Sequence, residues 1–298
     1  MPTTPPLAPS DPAQPSPYDT ALQARMPSPD HPCFRVWRDY TRSGVARGER
    51  VAASLEAFGP LAGQHIVDMG CGDGAVAAAL ASHGAATVAV DISHEQLRDG
   101  ASRSRELGVA VTPLVGDALR MPVPTRSADI VICNDVLEHV ADPEQCLAEA
   151  RRILKPAGVL YLSVPNRWSL LNVWTDPHYG LPIVAALPRQ FAAPLVTRVW
   201  RRNPTYAVEA LLSWSRLRRL LAAQAFSISD ARCDWRLTYL LAKLRGDEAV
   251  IAGHKRRFKR MLDMTGLSSL LVAALRPLVA VGWRCWVRGW IVIARAGR

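Results

Sequence analysis

The sequence lacks the features that would make it a disulfide scaffold, a zinc finger or a secreted protein. Its six cysteines (Cys33, Cys71, Cys133, Cys146, Cys233 and Cys285) are scattered, with no C-x-x-C pair among them, so neither a disulfide framework nor a thiolate metal site is expected. No basic stretch followed by an apolar run and a small-residue cleavage site opens it. Acidic residues are scarce toward the end: residues 187–298 hold 6 Asp and Glu against 21 Lys and Arg, while residues 1–186 hold 20 against 15. The back of the chain therefore carries +15 and the front −5, which points to an anionic partner such as a membrane surface, nucleic acid or a phosphorylated substrate. What is present is otherwise ordinary. A chain of 298 residues, 49% hydrophobic and with mean hydropathy +0.04, reads as a globular cytoplasmic protein with reduced thiols and a sizeable core.

Ten prolines fall in residues 1–32 with few large apolar side chains to bury, which predicts a disordered tail. A helix follows over about 43–57, where Val45, Val51, Ala52, Leu55 and Phe58 recur at helical spacing and Gly59-Pro60 ends it. Short β-branched runs then alternate with Ala- and Leu-rich helices, the rhythm of a parallel sheet with crossovers. Strands are expected at His65–Met69, Thr87–Asp91, Ala110–Val115, Ala128–Asn134 and Gly158–Val164, with helices near 74–83, 94–107 and 143–154. Residues 166–205, rich in proline and aromatics, read as a cap inserted over the substrate side. A helix over 208–223, a strand at Phe226–Asp230 and a last strand at Trp290–Ala294 complete the core. The expected division is thus a tail (1–32), a ligand-binding core (33–165), the cap (166–205), a core continuation (206–236), a basic and apolar helical insertion (237–287) and a final strand (288–298).

The segment HIVDMGCGDGAVAAALA is an apolar strand ending in an acid, then three glycines, then a helix. Glycines there let the backbone approach a ligand and turn into a helix N-terminus. Gly70-x-Gly72-x-x-Ala75 also fits the dinucleotide fingerprint, and Asp91 stands where a ribose-binding acid belongs in either case. Asp68 separates the two readings: an acid at that point repels pyrophosphate and suits a ligand with a cationic ammonium and no phosphate, such as S-adenosylmethionine.

With the motifs VDMGCGDG, VAVDIS, VGDALRMPVP, ADIVICNDVLEHVADPEQCLAEARRILKPAGVLYLSVPN and WIVIARA in this order, the chain resembles the class I S-adenosylmethionine-dependent methyltransferases, in particular the group that includes ubiquinone and menaquinone biosynthesis methyltransferases. The resemblance implies an α/β fold, a Rossmann-like seven-stranded sheet with its last strand antiparallel and with helical insertions. It implies that Asp68, Gly70, Cys71 and Gly72 hold the methionyl part of the cofactor and that Asp91 and Ile92 meet the ribose side. It implies that Asp117 and Ala118 contact the adenine and that Asn134 lines the pocket beneath the transferred methyl.

Methyl transfer needs a positioned nucleophile, exclusion of water and a place for a proton. His139 and His178 are the candidate bases, His178 lying in the rigid Asp176-Pro177-His178-Tyr179-Gly180-Leu181-Pro182 stretch. Asp135, Glu138 and His139 have the spacing D-x-x-E-H, and related quinone O-methyltransferases place two acids and a histidine there for a divalent cation. The aspartate here is one carbon shorter than their glutamate. Toward the end, 254–260 reads HKRRFKR and 267–283 is almost wholly apolar, broken by Arg276-Pro277, with Trp283, Trp286 and Trp290 following. A charge beside a proline in mid-segment disfavours a membrane span; a kinked hairpin in the interface of an anionic membrane, through 254–287, is expected instead. The expected protein is a methyltransferase acting on a small, lipophilic or glycan-linked molecule, at most peripheral at the inner face of the membrane. The alternatives are a tRNA or RNA methyltransferase, disfavoured for want of an RNA-binding module, and a non-catalytic membrane-associated fold relative.

Overall fold

A computed structural model describes residues 31, 34–233 and 287–297. The proline-rich tail and the basic, tryptophan-bearing stretch expected to meet a membrane lie almost wholly outside the described residues.

Seven strands form one sheet in the order β3-β2-β1-β4-β5-β7-β6. They are β1 (His65–Met69), β2 (Ala86–Asp91), β3 (Val111–Val115), β4 (Ala128–Asn134), β5 (Leu154–Pro165), β6 (Phe226–Cys233) and β7 (Gly289–Ala296). β1 to β5 are parallel, and β7 runs antiparallel between β5 and β6, the sheet that the resemblance implies. β1 and β4 match the expected strands because their central residues form buried, mainly apolar runs bounded by turn chemistry; Ile130, Val131, Ile132 and Cys133 are all buried, as a strand covered on both faces requires.

Helices α1 (Phe34–Arg42) and α2 (Gly44–Glu56) precede the sheet, and α3 (Ala75–Ser82), α4 (His94–Glu106) and α5 (Pro143–Ile153) connect its parallel strands. α5 begins where Asp142 accepts the N–H groups of Glu144 and Gln145, with Pro143 in the first turn and Arg151 and Arg152 in the last. α2 packs on α3 through glycine: a Cβ on Gly44 would stand 2.8 Å from Ala75 Cβ, and one on Gly48 2.5 Å from Ala79 Cβ. Val51, Leu55, Leu80, Ile132, Tyr161 and Ile293 fill that side of the sheet, and Val131, Leu147, Leu160, Leu162, Leu217 and Val292 the other. Each large side chain so buried contributes about 1.5–3 kcal/mol.

Several boundaries differ from expectation: helix Phe34–Arg42 precedes the expected one, β6 runs on to Cys233 and β7 spans Gly289–Ala296, and two further differences have a visible local cause. β5 starts at Leu154, four residues before the expected Gly158, with a register irregularity between Ala128 and Ile130 and Ala157 in left-handed backbone, so Lys155, Pro156 and Ala157 form the strand's irregular entry. The helix expected over 208–223 is α8, Trp214–Ala223 only. Ser213 resets the chain there, its Oγ accepting the N–H of Arg216, and Val208, Leu211 and Leu212 are buried outside any helix before it.

Between β5 and α8 lie α6 (Leu170–Trp174), a 3₁₀ turn at Val184–Ala186, α7 (Arg189–Pro194) and a wide π turn at Leu195–Val199. Tyr179, Leu181, Val184, Ala185, Ala192, Val196, Val208 and Leu211 make a small core of their own. The segment leaves and returns at one point, where Asn166 bridges Leu212. The buried Asn166 side chain donates to the carbonyl of Val287 at 2.9 Å and accepts from the N–H of Trp168 at 3.0 Å. The amide of Asn172 reaches the carbonyls of Asn166 at 2.9 Å and Arg288 at 2.6 Å.

Candidate active site

Strand order reverses between β1 and β4, and at their carboxyl ends opens a cavity of about 800 Å³, the place where open α/β sheets bind ligands. The glycine loop forms one wall. Gly70 and Gly72 have φ of +68° and +54°, and a Cβ on Gly70 would stand 2.7 Å from Val136 Cγ2, so both conformation and space require glycine. Asp91, at the end of β2, accepts the N–H of Gly72 at 2.8 Å through one oxygen and that of Ser93 at 2.8 Å through the other. A carboxylate offers about four acceptor positions, so two remain for a ligand.

Asp68, 2% exposed, borders this region, and its buried Oδ2 has no hydrogen-bond partner. Burial, and then the negative charge of Asp91, push its carboxyl up to about 7. A buried, unpartnered carboxylate oxygen is costly unless a donor or cation meets it, which suits an ammonium group and opposes a phosphate. Cys71 lines the same wall, but burial followed by the charges of Asp68 and Asp91 raises its thiol far above the ordinary range, so it stays protonated and is no nucleophile. Ile92 lies at the rim 73% exposed, and Gly116, Asp117, Ala118 and Asn134 also line the cavity. Asp117 doubles as a turn former, its Oδ1 accepting the N–H of Leu119 at 2.9 Å. The structure thus gathers Asp68, Gly70, Cys71, Gly72, Asp91, Ile92, Asp117, Ala118 and Asn134 around one space.

Tyr40, Thr41 and Arg47, which carry no motif, also line the cavity. The Arg47 guanidinium lies 3.8 Å over the Tyr40 ring and donates to the Tyr40 carbonyl at 3.2 Å. The available signal was the Gly44-x-x-x-Gly48 spacing, which brings α2 close to α3 and so carries Arg47 to the pocket.

His139 also lines the cavity, and around it stands a second cluster. Its Nδ1 is 2.9 Å from the carbonyl of Ala207; a carbonyl only accepts, so Nδ1 carries the proton and Nε2 keeps its lone pair. Burial lowers the pKa of His139. Glu138 is fully buried, and neither of its carboxylate oxygens has a hydrogen-bond partner; burial first, and Asp135 second, raise its pKa well above the ordinary range. Glu138 Oε1 is 4.0 Å from His139 Nε2 and 3.9 Å from His178 Nε2, and the two imidazoles meet edge to face with centroids 5.2 Å apart. Asp135 turns elsewhere: in left-handed backbone, it accepts the Ser163 hydroxyl at 2.6 Å and the Asn134 amide at 3.2 Å. Among the described residues, the candidate ligand atoms that lie within 4.8 Å of one another are those of Glu138, His139 and His178.

This fold and loop define a Rossmann-like transferase, and the sequence places the chain further. The methyltransferase-domain family matches residues 67–162. The chain is 37% identical over 115 residues to a ubiquinone biosynthesis O-methyltransferase of Methylococcus capsulatus, covering 38% of this chain and 48% of that protein. It is 32% identical over 176 residues to the protein of the same name from Xanthomonas oryzae pv. oryzae, covering 55% of this chain and 69% of that one. It thus spans about half the length of the first relative. A geranyl diphosphate methyltransferase structure in complex with S-adenosylmethionine shares the fold, with a TM-score of 0.52 over 92% of this chain and 94% of that one at 19% identity. The chain belongs to the class I S-adenosylmethionine-dependent methyltransferases. No helix among the described residues is long and apolar enough to cross a membrane.

Proposed function

We propose that the chain transfers a methyl group from S-adenosylmethionine to an ionisable nucleophile, a hydroxyl first of all, on a small lipophilic or glycan-linked molecule. The observation that carries the reading is the unpartnered buried oxygen of Asp68 beside a cavity that His139 also lines. When bound, the cofactor supplies an electrophilic methyl on a sulfonium. Asp68 meets its ammonium, Asp91 its ribose hydroxyls, Asp117 and Ala118 its adenine, and Asn134 the floor beneath the methyl. Cys71, held protonated, does not compete for the methyl. The nucleophile's proton is handled at the corner formed by His139 and His178, and residues 166–205 act as the cap that keeps water from it.

Calorimetry with S-adenosylmethionine and with its demethylated product tests the cofactor assignment; no affinity for either sinks it. Incorporation of labelled methyl into a panel of phenolic and glycan-linked hydroxyl acceptors tests the class of substrate. If His178→Ala leaves rate and acceptor affinity unchanged, the cap does not handle the proton.

A lipophilic acceptor is favoured by the side chains that residues 166–205 leave open: Trp174 is 79% exposed, Val199 65% and Phe191 56%. Among these residues stand Arg167, Arg189, Arg198, Arg201 and Arg202 against one acid, the buried Asp176, a combination that suits an anionic membrane surface. Co-sedimentation with anionic vesicles, compared with a chain lacking 254–287, tests that partner; the intact protein remaining in the supernatant rejects it.

A further inference from the structure

We propose that the amino edge of the sheet carries a second binding site, which takes a small aromatic carboxylate with its charge on Arg295 and Lys155 and its ring against Phe58. The inference goes beyond the reading above and does not rest on it. The site is a cavity of about 250 Å³ at the end of α2, and among the described residues it shares no lining residue with the larger cavity. Gln64 just before β1, Asp129 at the start of β4, the entry of β5 and Arg295 near the end of β7 surround it. These are the amino ends of three parallel strands, whereas the larger cavity opens at carboxyl ends.

Strand periodicity places the cation. Side chains on a strand alternate between its two faces. On β7, Ile291 and Ile293 pack with Leu55 and Tyr161 on the α2 side of the sheet, and Arg295, two residues on, continues that row. On β5 the row is Tyr161 and then Val159, the residue opposite Arg295, and on β4 it is Ile132 and then Ile130. α2 ends at Glu56 and Gly59-Pro60 turns the chain away, so the row runs out from under the helix where isoleucine gives way to arginine.

The polar groups determine the class of ligand. Asp129 is already engaged: its Oδ2 accepts the N–H of His65 at 3.0 Å and its Oδ1 the Lys155 ammonium at 2.7 Å. Its charge is thereby cancelled, and two of the three Lys155 donors are left over. Among the described residues, nothing bonds the Arg295 guanidinium or the Gln64 side-chain amide. One net positive charge and a planar fork of donors match a monocarboxylate, which a guanidinium meets with two parallel hydrogen bonds. Phe58, Pro60 and Pro156 supply flat apolar walls. The volume lies below the roughly 300–1,000 Å³ of sites for drug-sized ligands, which leaves room for a single ring and its acid.

The irregular entry of β5 shapes this space. Ala157 has φ of +61°, and the register against β4 shifts between Ala128 and Ile130, a local break of the kind that re-aims side chains at a sheet's rim. A Cβ on Gly158 would stand 3.0 Å from the carbonyl oxygens of Asp129 and Lys155, so glycine is what lets this entry lie against β4 and brings Lys155 to Asp129.

The test uses the full chain and para-fluorophenylacetate as the probe, followed by ligand-observed fluorine NMR. One saturable site is expected, with a dissociation constant on the order of 1 mM, as suits a fragment of this size, and unchanged when the demethylated cofactor is added to saturation. Inorganic phosphate and the neutral para-fluorophenylacetamide are each expected to bind more weakly by roughly tenfold or more. Arg295→Gln, at an exposed position, is expected to weaken the probe by roughly 10- to 150-fold, and Arg295→Lys to fall between, since a point charge replaces the fork. Absence of saturable binding by the intact chain overturns the proposal. So do equal affinity for phosphate or for the amide, displacement of the probe by the demethylated cofactor, and full affinity in Arg295→Gln. Whether the chain binds S-adenosylmethionine decides none of these outcomes, so failure of this site and failure of the cofactor reading stay distinct.

Discussion

Asp91 Oδ2 accepts the N–H of Gly72 at 2.8 Å, so the last residue of β2 holds the turn of the loop that follows β1. If Asp91 holds the ribose as proposed, cofactor affinity and loop geometry are joined in one side chain.

Asp91→Ala removes that acceptor together with the one for Ser93. A hydrogen bond to a charged group is worth about 1.5–3 kcal/mol, so affinity for the demethylated cofactor is expected to fall roughly 10- to 150-fold by calorimetry, with Asp91→Asn intermediate.

Gly70→Ala places a methyl 2.7 Å from Val136 Cγ2 on a backbone of φ +68°. A loss of about 1–3 kcal/mol in stability is expected from overpacking, read from denaturant midpoints. Adding Val136→Ala should recover the steric part and leave the backbone part, so a double variant no more stable than the single one contradicts this account.

The Asp68 carboxyl is pushed up to about 7 by burial and then by Asp91. Between about 4, the ordinary aspartate value, and 7 the folded chain keeps a proton that the unfolded chain has released, so stability of the cofactor-free protein falls as pH rises through this window. Glu138 adds to the same slope. An ammonium beside Asp68 favours the ionised form, so cofactor affinity should rise with pH up to about 7 and level off above. Asp68→Asn should abolish that rise, and a profile unchanged in Asp68→Asn assigns it elsewhere.

His83, at the end of α3, bonds Glu56 at 2.8 Å and Glu49 at 3.0 Å, both on α2. Burial alone would lower its pKa, but the two hydrogen bonds outweigh that and raise it. Its contribution is complete below about 6.5, the unfolded value, and is lost as pH rises through the folded one. The stability difference between the native chain and His83→Ala should therefore shrink from pH 6 to pH 9, and a histidine NMR titration should place the His83 midpoint above that of an exposed histidine.

The cofactor side of the molecule was legible because its signals are local. Strand β1, the glycines and Asp91 are fixed by hydrophobic runs, turn chemistry and short spacings, and a single stretch of chain contains each. Helix α8 was overextended because Val208, Leu211 and Leu212 continue the phase of Leu217 and Leu221, and periodicity does not register the Ser213 cap that restarts the chain. The meeting of His178 with Glu138 and His139 was not legible: Asp135 has the nearer spacing, but a left-handed turn gives its carboxylate to Ser163, and only the path of the cap brings His178 in. Arg47 was hidden likewise, since its place depends on how closely two helices approach.

The two asparagines at the root of the cap have a practical corollary. Residues 167–211 depart and rejoin beside Asn166, and Asn166 with Asn172 ties that junction to Val287 and Arg288, where the chain enters β7. The junction is buried and closed by its own hydrogen bonds, so what lies beyond it does not set the register of β5 against β7. The segment is a graft site: a foreign loop stitched in between Asn166 and Leu212, with Asn172 retained, should keep the β5–β7 register while removing His178 and the Ala207 carbonyl that holds His139.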